Sequence, residues 1–484
     1  MTPRSPEQIA EAITGLLGNG QVSTDPNLLR EYSVDRFKKY TAVHGIYDGP
    51  FPSCVAYPRD TGQVSQVLAW ANQAGVPVLP RTGGTATEGG LEVVREGTVV
   101  LDCSRLDEVV RLDEQDMTVT AQCGVGLQYL EDLLRAKGLT TGHSPQSKPL
   151  AQLGGLVATR SIGQFSTLYG GIEDLVVGFE AVLPDGHVAR VKNVPRRAAG
   201  PDIRHLLIGS EGGLGVITEV TLKVFRHYPE SLQFFGFLVD SFADGVRGLR
   251  EVITAGYRPS VARVYSVEDA RQHFADVYDG RDVVIFVAEG PPGIAEATAA
   301  GIEASFAEIP HRRMDPSRIR AWFEALNWGP DKIEAEKQAM LDSRELGYTT
   351  EVSANWSAVV PLFESVLHRI RAEFPLAEDL TMLGAHSSHS YQNGTNLYFV
   401  YDYRIRCEPR DEISWYHVPL NAIIVEEALR QGGSMVHHHG IGKYRTPWTR
   451  QEHGSAYPLL AALKTTFDPA GIMNPGVIWP LEEG

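Results

Sequence analysis

One stretch limits what this chain can become: Pro80-Arg81-Thr82-Gly83-Gly84-Thr85-Ala86-Thr87-Glu88-Gly89-Gly90, with four glycines and three threonines in eleven residues. Such residues add almost nothing to a core. They offer exposed backbone N–H groups, left-handed turns and small hydroxyls, a surface that grips a phosphate or pyrophosphate through the main chain. No Gly-Lys-Ser/Thr closes the stretch, so it is not a Walker loop, and it lacks the G-x-G-x-x-G spacing of a dinucleotide fold. Taken alone, an ordinary surface loop is the simpler reading.

The surroundings change that. A short apolar strand at 54–58, a helix through Leu68, Ala71 and Ala74 closed by Gly75, and a second strand at 76–79 make a β-α-β unit. The glycine stretch then lies at the carboxyl end of the second strand, where open α/β sheets place ligands. Two more small-residue segments follow, at 154–163 and 208–218. Beyond Pro229 glycine thins out. Strands at 234–239 and 283–288 alternate with helices near 243–254 and 294–307, the pattern of an antiparallel α+β domain. A helical reading covers 5–35, a charged helix 331–345, a further helix 361–373, a strand 396–403 and a helix 418–431.

A chain of 484 residues divides into more than one unit. Its net charge of −16 argues against nucleic acid and against a polybasic membrane patch, though not against an anionic substrate held by a few local arginines. No apolar run approaches the ~20 residues of a membrane span. Residues 1–7 carry no apolar signal core, and 481–484 no address. Cys54, Cys103, Cys123 and Cys407 are scattered and read as reduced thiols, so the expected location is the cytoplasm.

Read together, Arg81-Thr82-Gly83-Gly84-Thr85, Gly154-Gly155-Leu156-Val157-Ala158-Thr159, the segment from Ser210 to Thr218 and the closing Asn474-Pro475-Gly476 resemble the vanillyl-alcohol-oxidase family of flavoproteins. Within it, Tyr169-Gly170-Gly171-Ile172-Glu173-Asp174, Arg344-Glu345-Leu346-Gly347 and His437-His438-His439-Gly440-Ile441-Gly442-Lys443 are similar to the alkylglycerone-phosphate synthases. The resemblance implies an α+β fold: a two-subdomain PCMH-type FAD-binding domain over 48–228 and an antiparallel-sheet substrate (cap) domain over 229–434. A helical segment (1–47) would precede them, and a C-terminal segment (435–484) would return to the flavin. It implies FAD contacts from Pro80, Arg81, Thr82, Gly83, Gly84, Thr85, Ala86 and Thr87. Further contacts would come from Gln146, Ser147, Gln152, Gly155, Thr159, Arg160, Ser161, Ile162, Glu211, Gly212, Gly215, Val216 and Ile217. Thr85 stands where covalently flavinylated relatives place a histidine, so the FAD is expected to be noncovalent; a homodimer is common in relatives.

For chemistry, the resemblance makes Arg344 the substrate anchor and Tyr398 the acid/base group, with Arg263, His143 and the triplet His437, His438 and His439 lining the site. The residue types agree: a phenol and an imidazole can move a hydroxyl proton, and an arginine can clamp a carboxylate or phosphate. Adjacent histidines on a strand point to opposite faces, and no carboxylate or cysteine motif accompanies them, so no metal is expected. Two activities stay open. One is hydride transfer from an alcohol or 2-hydroxy acid to FAD. The other is a synthase-like exchange, through a flavin adduct, of the acyl group of acyl-dihydroxyacetone phosphate for a fatty alcohol. Residues 386–391, His-Ser-Ser-His-Ser-Tyr, replace an arginine-containing stretch of the synthases, which favours the first.

Overall fold

The computed structural model describes residues 4–481 apart from Tyr278 and Trp328; the extreme ends read above for leader and address signals, 1–3 and 482–484, lie outside the described residues. Cys54–Ala56 and Val78–Arg81 both run parallel to Val99–Asp102, which lies between them, and Val22–Ser23 adds an antiparallel edge. Unbroken apolar runs suit strands covered on both faces. The helix Thr61–Ala74 starts at Asp60, whose carboxylate accepts the Gln63 N–H at 2.8 Å, and stops at Gly75 in the left-handed region, φ 66°. The helical reading of 5–35 holds only for Pro6–Leu17 and Pro26–Glu31. Gly18 and Gly20, at φ 95° and 85°, break the helix between them.

A second sheet is antiparallel, in the order Val109–Asp113, Thr118–Gln122, Val216–Lys223, Val176–Val182, Val188–Val191. The two sheets share a core through Cys123, Val182 and Val216. The chain end returns to the first sheet: Met473 bridges to Val78, and Asn474 Nδ2 donates to the carbonyls of Gly90 at 3.0 Å and Glu211 at 2.8 Å.

The remaining half is built on an eight-stranded sheet, antiparallel at every pairing. Its longest members, Glu345–Asn355 and Gly394–Arg404, pair residue for residue along their whole length. Along the second, Leu397, Phe399, Tyr401 and Tyr403 are fully buried in a core shared with the helices Trp356–Glu373 and Val418–Arg430. Tyr398, Val400 and Asp402 therefore point to the opposite face. A slip of one residue would exchange the two sets, and each buried ring or leucine contributes about 1.5–3 kcal/mol, so the register is firmly set. The helix expected to begin at Pro361 begins at Trp356 and runs through that proline. The ring costs one backbone hydrogen bond, and Val359, Leu362, Val366 and Ile370 keep the helix packed. No helix among the described residues is long and apolar enough to cross a membrane.

Candidate flavin and substrate site

One large cavity lies between the FAD-binding half and the cap sheet, and the glycine stretch forms one wall. A Cβ on Gly83 would stand 2.6 Å from the Leu150 carbonyl oxygen, one on Gly155 2.9 Å from Thr82 Oγ1, and Gly84 has φ +67°. The stretch and the 150–155 segment thus approach as closely as backbones permit, leaving main-chain polar groups rather than side chains toward the space. Arg81 Nη1, Gln152 Oε1 and Gln164 Oε1 are buried without a partner in the protein, all on residues lining this cavity. Unpaired buried donors and acceptors fit a polar ligand with phosphate and ring heteroatoms, so FAD suits the cradle. Of the residues assigned above to flavin contact, all line the cavity except Arg160, which lies in left-handed backbone (φ 54°) and pairs with Glu173 at 3.1 Å.

The opposite wall is the outward face of the cap sheet. Tyr265, His386, Tyr398 and Glu351 are cross-strand neighbours in a single row over four strands. Arg263 lies two residues before Tyr265 on the same face. Arg263 is 4% exposed; its guanidinium donates from Nη1 to the Tyr265 hydroxyl and lies 5.3 Å from the Trp322 ring centre. Its Nε has no partner, and no carboxylate among the described residues pairs with it. His386 stacks on Tyr398, ring centres 4.8 Å apart, while its Nδ1 lies 2.6 Å from Asp269 Oδ2. Burial pushes the Asp269 carboxyl up, but His386 and His273 outweigh it and hold the group well below the usual range. Burial raises the Tyr398 phenol, keeping it protonated near neutrality.

The histidine triplet arrives from a third direction. His439 Nε2 lies 3.0 Å from Tyr398 Oη, and Thr349 Oγ1 donates to the same phenol oxygen at 3.1 Å. His439 Nδ1 lies 3.1 Å from Glu88 Oε1. The backbone N–H groups of His437 and His439 both donate to Glu351, the second at 2.8 Å. Arg445, fully buried, stands between the carboxylates, 3.2 Å from Glu88 Oε1 and 3.3 Å from Glu351 Oε1. Burial alone would raise the Glu351 carboxyl; Arg445, with His439 and His437, brings it below its ordinary value. Glu211 accepts from the N–H groups of Ile441 at 2.7 Å and Gly442 at 2.9 Å, so its carboxylate shapes the triplet's loop.

Tyr398, His438, His439 and Arg263 meet at this cavity. Arg344 does not. It ends the helix Pro330–Ser343 in left-handed backbone, exposed, and its Nη2 donates to the Cys407 carbonyl at 2.7 Å. The helix stops before the Arg-Glu-Leu-Gly run, which turns the arginine away. His143 is buried with neither ring nitrogen bonded, and burial pulls its pKa down to about 3; it is not part of the lining. His437 lies behind the wall, its Nε2 2.8 Å from Tyr391 Oη. One ring nitrogen each from His389, His437 and His438 lies within 4.8 Å of the others, a spacing at which histidines can share a metal. Hydrogen bonds already engage these rings, His437 Nδ1 to His438 Nδ1 at 2.9 Å and His389 Nδ1 to Ser166 Oγ at 2.8 Å, and no metal ligand is assigned. Sequence reasoning missed Glu88, Glu351, Arg445 and Asp269, and reached His386 only as part of the changed stretch at 386–391. Only Glu88 carried a signal, as the one charge among the small residues after Arg81.

Both halves of the chain resemble known proteins. Residues 52–192 match the FAD binding domain and residues 228–478 the C-terminal domain of FAD linked oxidases. The uncharacterized FAD-linked oxidoreductase YgcU of Escherichia coli K12 is 56% identical over 477 residues, covering 98% of this chain and 99% of YgcU. A mitochondrial D-lactate dehydrogenase [cytochrome] of Arabidopsis thaliana is 28% identical over 94% of this chain and 78% of its own. A solved alkyldihydroxyacetonephosphate synthase shares the fold, with TM-score 0.80 and 23% identity over 98% of this chain and 85% of that one. The chain belongs to the FAD-linked oxidases and is an FAD-dependent enzyme.

Proposed function

We propose that the enzyme oxidises a 2-hydroxy acid to the 2-oxo acid, with Arg263 binding the substrate carboxylate, Tyr398 receiving the hydroxyl proton and FAD held noncovalently. The observation that carries this is the Arg263 guanidinium, buried and without a carboxylate partner among the described residues, on the same cavity wall as Tyr398. An unpaired buried cation is costly, and an anionic ligand removes the cost while fixing the reacting carbon. Bound FAD supplies a two-electron acceptor for the substrate's hydride. The chain does the rest. Arg263 orients the acid, Tyr398 Oη accepts the hydroxyl proton as it passes its own to His439 Nε2, and the cap sheet closes the reaction from water.

The D-lactate dehydrogenase relative supports this substrate class. Alkyldihydroxyacetonephosphate synthase relatives support the synthase-like transfer as the alternative, whereas Arg344, its expected anchor, lies outside the cavity lining. Thr85 supports noncovalent FAD, its hydroxyl being no flavin-tethering imidazole. The four buried, unpaired cysteines support a reducing, cytoplasmic setting. An anaerobic spectrum with D-lactate, L-lactate, glycolate and longer 2-hydroxy acids tests the reading. Bleaching of the flavin by at least one acid is expected. Bleaching by none, together with ether formation from acyl-dihydroxyacetone phosphate and a long-chain alcohol, would overturn it.

A further inference from the structure

We propose that Glu88, carried on the flavin-facing stretch, and Arg445 are positioning residues that hold His439 with Nε2 turned to Tyr398, an inference that rests on the 2-hydroxy acid reading above. His439 spans two groups: Nδ1 lies 3.1 Å from Glu88 Oε1 and Nε2 3.0 Å from Tyr398 Oη. A proton on Nδ1, donated to Glu88, leaves Nε2 as the acceptor. During oxidation the substrate carbon loses a hydride to the bound acceptor and its hydroxyl loses a proton to Tyr398 Oη. Tyr398 passes its own proton to His439 Nε2, and the resulting imidazolium faces a carboxylate already in place. One hydride and one proton leave the substrate, and a C=O double bond replaces the C–H and O–H bonds.

The two nearby carboxylates have different tasks. Both oxygens of Glu351 accept from the backbone N–H groups of His437 and His439, and its Oε1 lies farther from His439 Nδ1 than Glu88 does, at 3.6 Å against 3.1 Å. Glu88 Oε2 is buried without a partner, and its Oε1 faces the ring. Arg445 lies between them, fully buried and within 3.3 Å of each, and also donates to the carbonyls of Glu351 and Met435 at 3.1 Å. The guanidinium thus gives both buried carboxylates a common counter-charge and fixes their positions relative to each other. The Glu88 backbone is fixed too, since its carbonyl accepts the Lys443 N–H at 3.0 Å. Glu88 follows Thr87 directly, so one rigid stretch both cradles the cofactor and aims the proton acceptor.

The test uses Glu88→Gln holoenzyme, which keeps an oxygen for Arg445 and removes the charge, with Glu88→Asp as the conservative variant. Flavin content and the Kd of oxalate, an unreactive dianion, are expected to match the wild type. The rate of flavin reduction by the most rapidly bleaching acid of the panel above falls about 100-fold, and Glu88→Asp recovers part of it. Nitrogen-15 histidine spectra, assigned by the signal lost in His439→Gln, are expected to show His439 as the Nδ1–H tautomer in the wild type and a mixture in Glu88→Gln. An unchanged rate with an unchanged tautomer overturns the proposal. So does a rate loss matched by equal losses of flavin and oxalate binding, the mark of a merely structural group. If no acid bleaches the wild type, the substrate reading fails, while the tautomer measurement still decides the positioning role.

Discussion

Tyr398 and His386 occupy directly opposed positions on neighbouring strands, and their rings stack 4.8 Å apart at 15°. The stack aims the phenol, because His386 is itself tied to Asp269 at 2.6 Å. Tyr398→Phe keeps the stack and removes the oxygen, so flavin reduction by a 2-hydroxy acid should fall about 100-fold with flavin content unchanged. His386→Phe keeps a ring but loses Asp269, and a loss of about 10-fold is expected. Stopped-flow reduction under anaerobic conditions separates the two.

The triplet's loop depends on glycine, most tightly at Gly442. Gly442 has φ +56°, and a Cβ there would overlap the Glu88 carbonyl oxygen. Gly442→Ala should cost about 1–3 kcal/mol of stability. It should also slow flavin reduction, since Glu88 and His439 no longer meet. Thermal unfolding and the reduction rate check the two effects.

The proposed noncovalent attachment, argued from Thr85, predicts that the flavin is released when the protein is denatured. Acid precipitation should leave all the yellow colour in the supernatant, and intact mass spectrometry should return the bare polypeptide. Colour in the pellet would contradict this.

Glu412 gives a pH signature away from the site. It is fully buried, accepts from the Tyr403 hydroxyl and has one oxygen unpaired. Burial raises its pKa from 4.5 to about 7, against the opposing pull of Tyr403 and Lys39. Tyr348, Tyr401 and Cys407 also face it. The folded state then keeps a proton that the unfolded chain has released. This group's contribution is fully present below pH 4.5, declines as pH rises and levels off above about 7. Glu412→Gln should lack that decline, gaining up to about 3 kcal/mol on the wild type between pH 5 and 8. Paired melting curves across that range measure it.

The cofactor half was readable from the sequence because its determinants are contiguous: a ligand gripped by backbone needs runs of small residues, and runs survive in one dimension. The substrate wall is made differently. Tyr265, His386, Tyr398 and Glu351 come from four strands, only the antiparallel register brings them into one row, and Arg263 stands two residues from Tyr265 on the same face. Arg445 looks like any surface arginine until the fold encloses it between Glu88 and Glu351. Arg344 shows the converse: a motif match located the residue, but at the left-handed end of its helix it bonds the Cys407 carbonyl and lies outside the cavity lining.

The central claim is that Arg263 holds the substrate's carboxylate. It is tested most directly by anaerobic titration of wild-type and Arg263→Gln holoenzyme with the acid that bleaches the wild type best. Loss of one charge-assisted contact of this kind should raise the acid's Kd about 10- to 100-fold, with flavin content unchanged. Wild-type affinity and wild-type reduction rate in Arg263→Gln would contradict the account.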